Sequence, residues 1–170
     1  MMSNQAINIE KLDIGIENQG LEDSIEQTSK VLASTYALYL KTQYYHWNVV
    51  GAEFYNLHIM FEEQYKELRE AVDDVAERIR TLGGVAPGTF SEFLKLSFLK
   101  EDEKSPSSWH DMVSNLQEDH EKLAKELRNI IEGLQNNKDE GSADMFTQRM
   151  KYHEKTAWML RSLTKNKDSQ

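Results

Sequence analysis

The stretch from Tyr45 to Leu82, YHWNVVGAEFYNLHIMFEEQYKELREAVDDVAERIRTL, holds two histidines, one with a carboxylate a helical turn later, and a carboxylate pair further on. His58 and Glu62 are spaced i,i+4, and so are Asp73 and Glu77, so on a helix each pair occupies one face. His46 lies just upstream, before Gly51. Imidazole and carboxylate together suit Fe(II) or Zn and are too rich in nitrogen for a dedicated Ca or Mg cage. The chain has no cysteine, so thiolate nucleophiles, disulfides and cysteine-based zinc or iron–sulfur sites are excluded. Oxygen ligands also stabilise Fe(III), so such a set favours oxidation of bound Fe(II), with the electrons passing to peroxide or dioxygen.

Distance forbids a single site within one chain. At about 1.5 Å rise per residue, Glu62 and Asp73 stand roughly 16 Å apart along a helix, far beyond the separation of ligands on one metal. Positions 58 and 77 share their midpoint with 62 and 73, near Glu67 and Leu68. An antiparallel second copy, related by a two-fold axis there, sets its Asp73 beside Glu62 and its Glu77 beside His58. An isologous dimer therefore makes two sites at once. His46 joins each site because Gly51 turns the chain back, giving two imidazoles and three carboxylates. A bland reading stays open from spacing alone: a His–Glu pair and an acidic pair on a solvated helix face, shared with Lys66 and Arg69. His110, His120 and His153 lack comparable partners and read as packed or surface residues, and Trp109 and Trp158 read as core.

Long helices must carry these residues. Two prolines and eight glycines in 170 residues, with Glu, Lys, Leu, Gln and Ala prominent, favour an all-α chain. Residues 1 to 20 are polar and weakly acidic and read as an N-terminal arm. From Glu22 to Val50, Ile25, Val31, Leu32, Leu38 and Tyr45 recur at helical spacing, and Gly51 closes that helix. Phe61, Tyr65, Leu68, Val72, Val75, Ile79 and Leu82 alternate steps of four and three, predicting a second helix over 54–82 that Gly83 and Gly84 stop. At about 100° per residue that stripe clusters near Phe61, and the candidate ligands lie about 60° to 160° round from it.

A long connection to Pro106 contains Phe90, Phe93, Leu94 and Phe98, which predict a short helix across the bundle. Helices follow over 107–135, capped by Ser107 or Ser108, and over 142–163, joined by a turn. The domain plan is an arm at 1–20, a helical bundle over 21–165 and a tail at 166–170. Four long helices with one long crossover match the ferritin-like plan, although cofactor-free bundles fit it too.

The formal net charge is −9, which opposes general attraction to nucleic acid or anionic membrane and suits the capture of cations. No segment reaches the roughly 18 apolar residues of a membrane span and the amino terminus lacks a leader pattern, so a cytoplasmic protein is expected.

The run HWNVVGAEFYNLHIMFEEQYKELREAVDDVAERIRTLGG resembles the signature of the Dps family, the mini-ferritins: H-W-N-x-x-G-x-x-F, then L-H, D-x-x-A-E-R and L-G-G. The resemblance implies a ferritin-like four-helix subunit with a short helix in its long connection, assembled as a hollow dodecamer. It also implies an intersubunit ferroxidase centre that oxidises Fe(II), preferably with hydrogen peroxide, stores the ferric product and so limits oxidative damage. The family's ligands fall on His46, His58, Glu62, Asp73 and Glu77, and Zn is a possible substitute for iron. Glu62 departs from the family's usual Asp, which keeps the charge and lengthens the reach. Trp47 matches the tryptophan beside the family's centre, where it takes up a stray oxidising equivalent or packs an interface.

DNA-binding members of the family often carry a lysine-rich arm, whereas residues 1–30 hold six acids against Lys11 and Lys30 alone. Backbone binding needs clustered cations, so weak or no DNA binding is expected. Family position suggests Glu126, Asp139 and Asp144 for acidic pores that admit iron. Two other readings compete: a DNA-compacting shell whose metal site is secondary, and a structural helical oligomer tied together by its histidines and acids.

Overall fold

The computed structural model describes residues 12–102, 106 and 108–164. Five helices run in chain order: α1 Asn18–Asn48, α2 Phe54–Thr81, α3 Phe90–Leu96, α4 Trp109–Asn136 and α5 Glu140–Thr164. Among the described residues there is no strand, and no helix is long and apolar enough to cross a membrane. α1 packs on α2 and α4 on α5, and the short α3 of the crossover lies against α1. This is the four-helix plan with one long connection that the spacing predicts.

Helix α1 starts at Asn18, four residues before the expected Glu22, and this brings Gly20 and Leu21 into the core. The N-terminal arm is shorter accordingly, and residues 1–11 and 165–170 lie outside the described residues. α1 buries six serine and threonine side chains. Ser29, Thr35 and Thr42 each donate to the carbonyl four residues back, at 2.7 to 2.8 Å, so their polar atoms are satisfied within the helix. Ser34 donates to Lys30 and accepts from the Phe98 amide, which ties the crossover to α1.

The two turns that punctuate α2 depend on glycine. Gly51 sits at φ +108°, a conformation other residues adopt only under strain, and it returns the chain so that α2 begins beside the end of α1. At the far end Gly83 has φ +85°, and the Gly84 amide reaches the Ile79 carbonyl at 3.0 Å, closing a Schellman-type cap. Gly84 has a separate reason to be glycine: a Cβ there would stand 2.8 Å from Cγ2 of Ile25.

The core divides into two clusters. Leu21, Ile25, Val75, Ile79, Leu127 and Phe146 gather at the Gly83 end. Leu38, Tyr45, Phe61, Leu68, Leu116 and Leu160 gather toward Gly51. Thr89 caps α3 in a capping box with Glu92, and Ser108 caps α4 by accepting from the Asp111 amide at 3.1 Å.

One expectation about packing is corrected, that for Trp158, and others gain detail. Trp158 is 57% exposed, because the inward face of α5 is taken by Phe146, His153, Ala157 and Leu160; Trp109 is half-buried and packs on the second cluster. His120 and His153 are fully buried and partner each other, with their Nδ1 atoms 2.8 Å apart, so one ring carries the bridging proton and the other accepts it. Asp139 is buried: Arg78 reaches its carboxylate at 2.5 Å, and the same carboxylate accepts the Ser142 amide at the start of α5. It caps α5 and is a buried carboxylate with Arg78 as its countercharge. Glu126 is half-buried and Asp144 exposed.

Candidate metal centre

The Gly51 turn sets the last turn of α1 against the first turn of α2, and their histidines meet there. The His46 and His58 rings stack with centroids 3.8 Å apart and planes at 22°. Nδ1 of His46 donates to the His58 carbonyl at 2.8 Å, and Nδ1 of His58 donates to the His46 carbonyl at 2.9 Å. A carbonyl can only accept, so Nδ1 of each ring carries a proton, and the tautomer that leaves a lone pair for a metal has it on Nε2. The His46 carbonyl belongs to the last turn of α1, where helical partners run out, which explains why a side chain serves it. Two main-chain atoms thereby orient both imidazoles, the role second-layer partners play for metal-binding histidines.

Glu62 follows His58 by one turn of α2. Lys66 Nζ lies 2.6 Å from its carboxylate. The hydrogen bond from Lys66, and then its charge, hold the Glu62 carboxyl below its usual range. Glu62 is therefore an anion at neutral pH, with Lys66 standing where a cation would bind. Spacing alone places Lys66 in this sector and does not show that it takes the carboxylate.

Asp73 and Glu77 sit exposed on the same helix, further along. Among the described residues, no group of three or more histidine and acidic side chains within the chain is placed to hold a metal. The fold thus joins His46 and His58, keeps Glu62 one helical turn along α2, and leaves Asp73 and Glu77 further away on the same helix. This agrees with the 16 Å argument from helix rise.

Apolar side chains surround the histidines. Phe54 stacks on His58 with centroids 5.1 Å apart, and Tyr65 stands edge-on to His46 at 5.2 Å. Trp47 is 62% exposed, and Val50, Phe54, Tyr55 and Ile59 are exposed with it. Sequence reasoning missed a polar anchor beneath this region: Tyr45 donates to Asp102 and accepts from Asn115, while Lys41 pairs with Asp119 at 2.7 Å and donates to the Lys100 carbonyl. Burial, then the bond to Asp102, pushes the Tyr45 phenol well above its usual range. The anchor fastens the crossover to α1 and α4 one residue before His46. Its signal is the i,i+4 pair Lys41 and Tyr45, whose partners lie far along the chain.

The ferritin-like domain family matches residues 25–168. A low temperature-induced protein of Nostoc sp. is 42% identical over 153 residues, spanning 89% of this chain and 86% of that protein. The DNA protection during starvation protein 2 of Bacillus anthracis is 36% identical over 138 residues, spanning 81% of this chain and 94% of its own. A Dps protein crystal structure from Vibrio cholerae O1, described as a member of a broad superfamily of ferritin-like diiron-carboxylate proteins, superposes with a TM-score of 0.85. It is 31% identical and covers 94% of this chain and 99% of that one. Helix order, the long crossover and these relationships agree: the chain belongs to the Dps family of ferritin-like proteins.

Proposed function

We propose that this chain is a ferroxidase and iron store, in which His46, His58 and Glu62 of one copy and Asp73 and Glu77 of a second complete each Fe(II)-oxidising centre. The observation that carries this reading is the reciprocal lock of His46 and His58, which commits Nδ1 of each ring to the main chain and leaves Nε2 of both for a ligand role, with Glu62 one helical turn beyond His58. That half-site has too few ligands by itself, and the acidic half-site lies on the same helix at the symmetry-related distance. Exposed Trp47, Val50, Phe54, Tyr55 and Ile59 around the histidines make a face that a second copy would cover.

Iron enters as substrate. Two Fe(II) ions give one electron each, and one hydrogen peroxide accepts both and, with two protons, leaves as two waters. Carboxylates favour the ferric product, while the imidazoles keep the site selective for transition metals over Ca and Mg. Peroxide is the preferred oxidant, a hollow dodecamer is the assembly that stores the ferric product, and Zn is the competing ion. Half-buried Glu126 and exposed Asp144 remain the acidic candidates for the path of entry. The diiron-carboxylate description of the Vibrio cholerae relative supports the iron chemistry. The starvation-protection name of the Bacillus anthracis relative supports a protective role. Here that protection comes through removal of iron and peroxide, because the acidic N-terminal sequence disfavours DNA.

The test is Fe(II) oxidation by peroxide in the wild type and in the double variant His46→Ala/His58→Ala. The double variant should lose most of its rate; equal rates in the two would exclude this reading.

A further inference from the structure

We infer that Tyr45 and Asp102 are positioning residues for the candidate metal centre: their contact holds the end of α1 in the rotation and register that let His46 reach His58. The inference rests on the ferroxidase reading above and concerns two residues that supply no ligand to the centre.

Tyr45 is fully buried in the core cluster toward Gly51, where its ring meets Phe61 with centroids 6.4 Å apart. Phenylalanine would fill that place and need no polar partner. The hydroxyl instead draws in two groups: it donates to Asp102 of the crossover and accepts from Nδ2 of Asn115 on α4 at 3.0 Å. One turn back on the same face of α1, Lys41 donates to Asp119 at 2.7 Å and to the Lys100 carbonyl at 2.9 Å, and it stands 3.3 Å from Asp102. Asn115 and Asp119 are likewise one turn apart on α4. The rungs Tyr45 to Asn115 and Lys41 to Asp119 run in opposite senses along the two helices, which is antiparallel register, and Asp102 reaches both α1 residues.

A single contact would leave α1 free to turn about it. Two contacts a turn apart on one face oppose rotation and sliding together. With Cα atoms about 2.3 Å from the helix axis, a rotation of about 30° moves the Cα of a residue by roughly 1.2 Å. The two bonds of the His46 and His58 clasp are 2.8 and 2.9 Å long, and a hydrogen bond is lost by about 3.5 Å, so a rotation of that size is enough to break them.

The clasp cannot hold the end of α1 by itself. It ties His46 to His58 across the Gly51 turn, in the last turn of α1, where the helix's own hydrogen bonds run out. Tyr45, in the same turn, ties that end to α4 and to the crossover. A metal site works only when its ligands are held within about 0.5 Å of their places, so loosening this anchor weakens binding although every ligand remains.

The experiment uses the assembled protein, with Co(II) as the probe read by optical titration and Fe(II) oxidation by peroxide measured alongside. Tyr45→Phe should weaken Co(II) binding about tenfold and alter the visible bands, because the ligands stay and their arrangement changes. Asp102→Asn keeps an acceptor for the hydroxyl and should stay within about twofold of the wild type, whereas Asp102→Ala should match Tyr45→Phe. Leu134→Ala, in the other core cluster, controls for lost stability alone and should leave affinity and bands unchanged. Wild-type affinity and bands in Tyr45→Phe, no difference between Asp102→Asn and Asp102→Ala, or an equal loss in Leu134→Ala would each overturn the positioning role alone. A wild type that fails to oxidise Fe(II), or Co(II) binding unchanged in His46→Ala/His58→Ala, would overturn the ferroxidase reading and the positioning role with it.

Discussion

His46 and His58 each donate through Nδ1 to the main-chain carbonyl of the other, at 2.8 and 2.9 Å, with their rings stacked 3.8 Å apart. The pair is a clasp between two helices and, under the proposed function, a pair of oriented ligands. Replacing His58 with Ala removes one ligand and also strands the His46 carbonyl at the end of α1. The expected loss is at least about tenfold in affinity for a probe ion such as Co(II), read by optical titration. Stability should fall by roughly 1 to 2 kcal/mol, read by urea unfolding of the metal-free protein.

Lys66 competes with any cation for Glu62. Because the Glu62 carboxyl is held low chiefly by Lys66, Lys66→Met should return it toward its ordinary range. Metal binding should then tighten at neutral pH, since the carboxylate no longer has to exchange one cation for another. On the acid side it should fail at a higher pH than in the wild type, because a less depressed carboxyl takes up its proton sooner. Co(II) titration across pH 4 to 7 checks both signs.

The buried pair His120 and His153 predicts an acid limb in stability. Burial first, and then the nearby Arg149 charge, push His120 down to about 3; burial, then His120 and Arg149, hold His153 well below its usual range. Both remain uncharged in the folded chain at a pH where the unfolded chain protonates them. Stability is therefore fully present above the unfolded value near 6.5 and declines below it, by up to roughly 1.4 kcal/mol per pH unit for each ring. Urea unfolding between pH 7 and 4 should show this slope, and His120→Leu/His153→Leu should flatten it.

Gly84 and Ile25 are expected to couple. Gly84→Ala puts a methyl 2.8 Å from the Ile25 side chain and should cost about 1 to 3 kcal/mol. Adding Ile25→Ala makes room, so the double variant should be less destabilised than the sum of the two single changes. Strict additivity in chemical denaturation would show that the close approach is relieved elsewhere.

Much of this fold is legible in the order of residues, because helical geometry converts spacing into placement. The stripe from Phe61 to Leu82 marks α2; Phe61, Leu68, Val75 and Ile79 are buried, while Tyr65 and Val72 lie at its half-buried edge. Trp158 was misjudged because α5 has a weakly segregated apolar face, and which of its faces turns inward depends on where α4 lies. Asp139 reads as an acid in a polar turn, and nothing local to it reveals Arg78, which comes from another helix.

Rise and angle per residue are enough to lay out the helices, their glycine stops and the matched spacing of His58 and Glu62 with Asp73 and Glu77 on α2. Packing between helices set the clasp of His46 and His58 and the proton that His120 and His153 share in the core. The physical reason is range. A helix's own period sets relations within about one turn, whereas side chains from different helices meet only after packing has chosen the rotation of each helix about its axis.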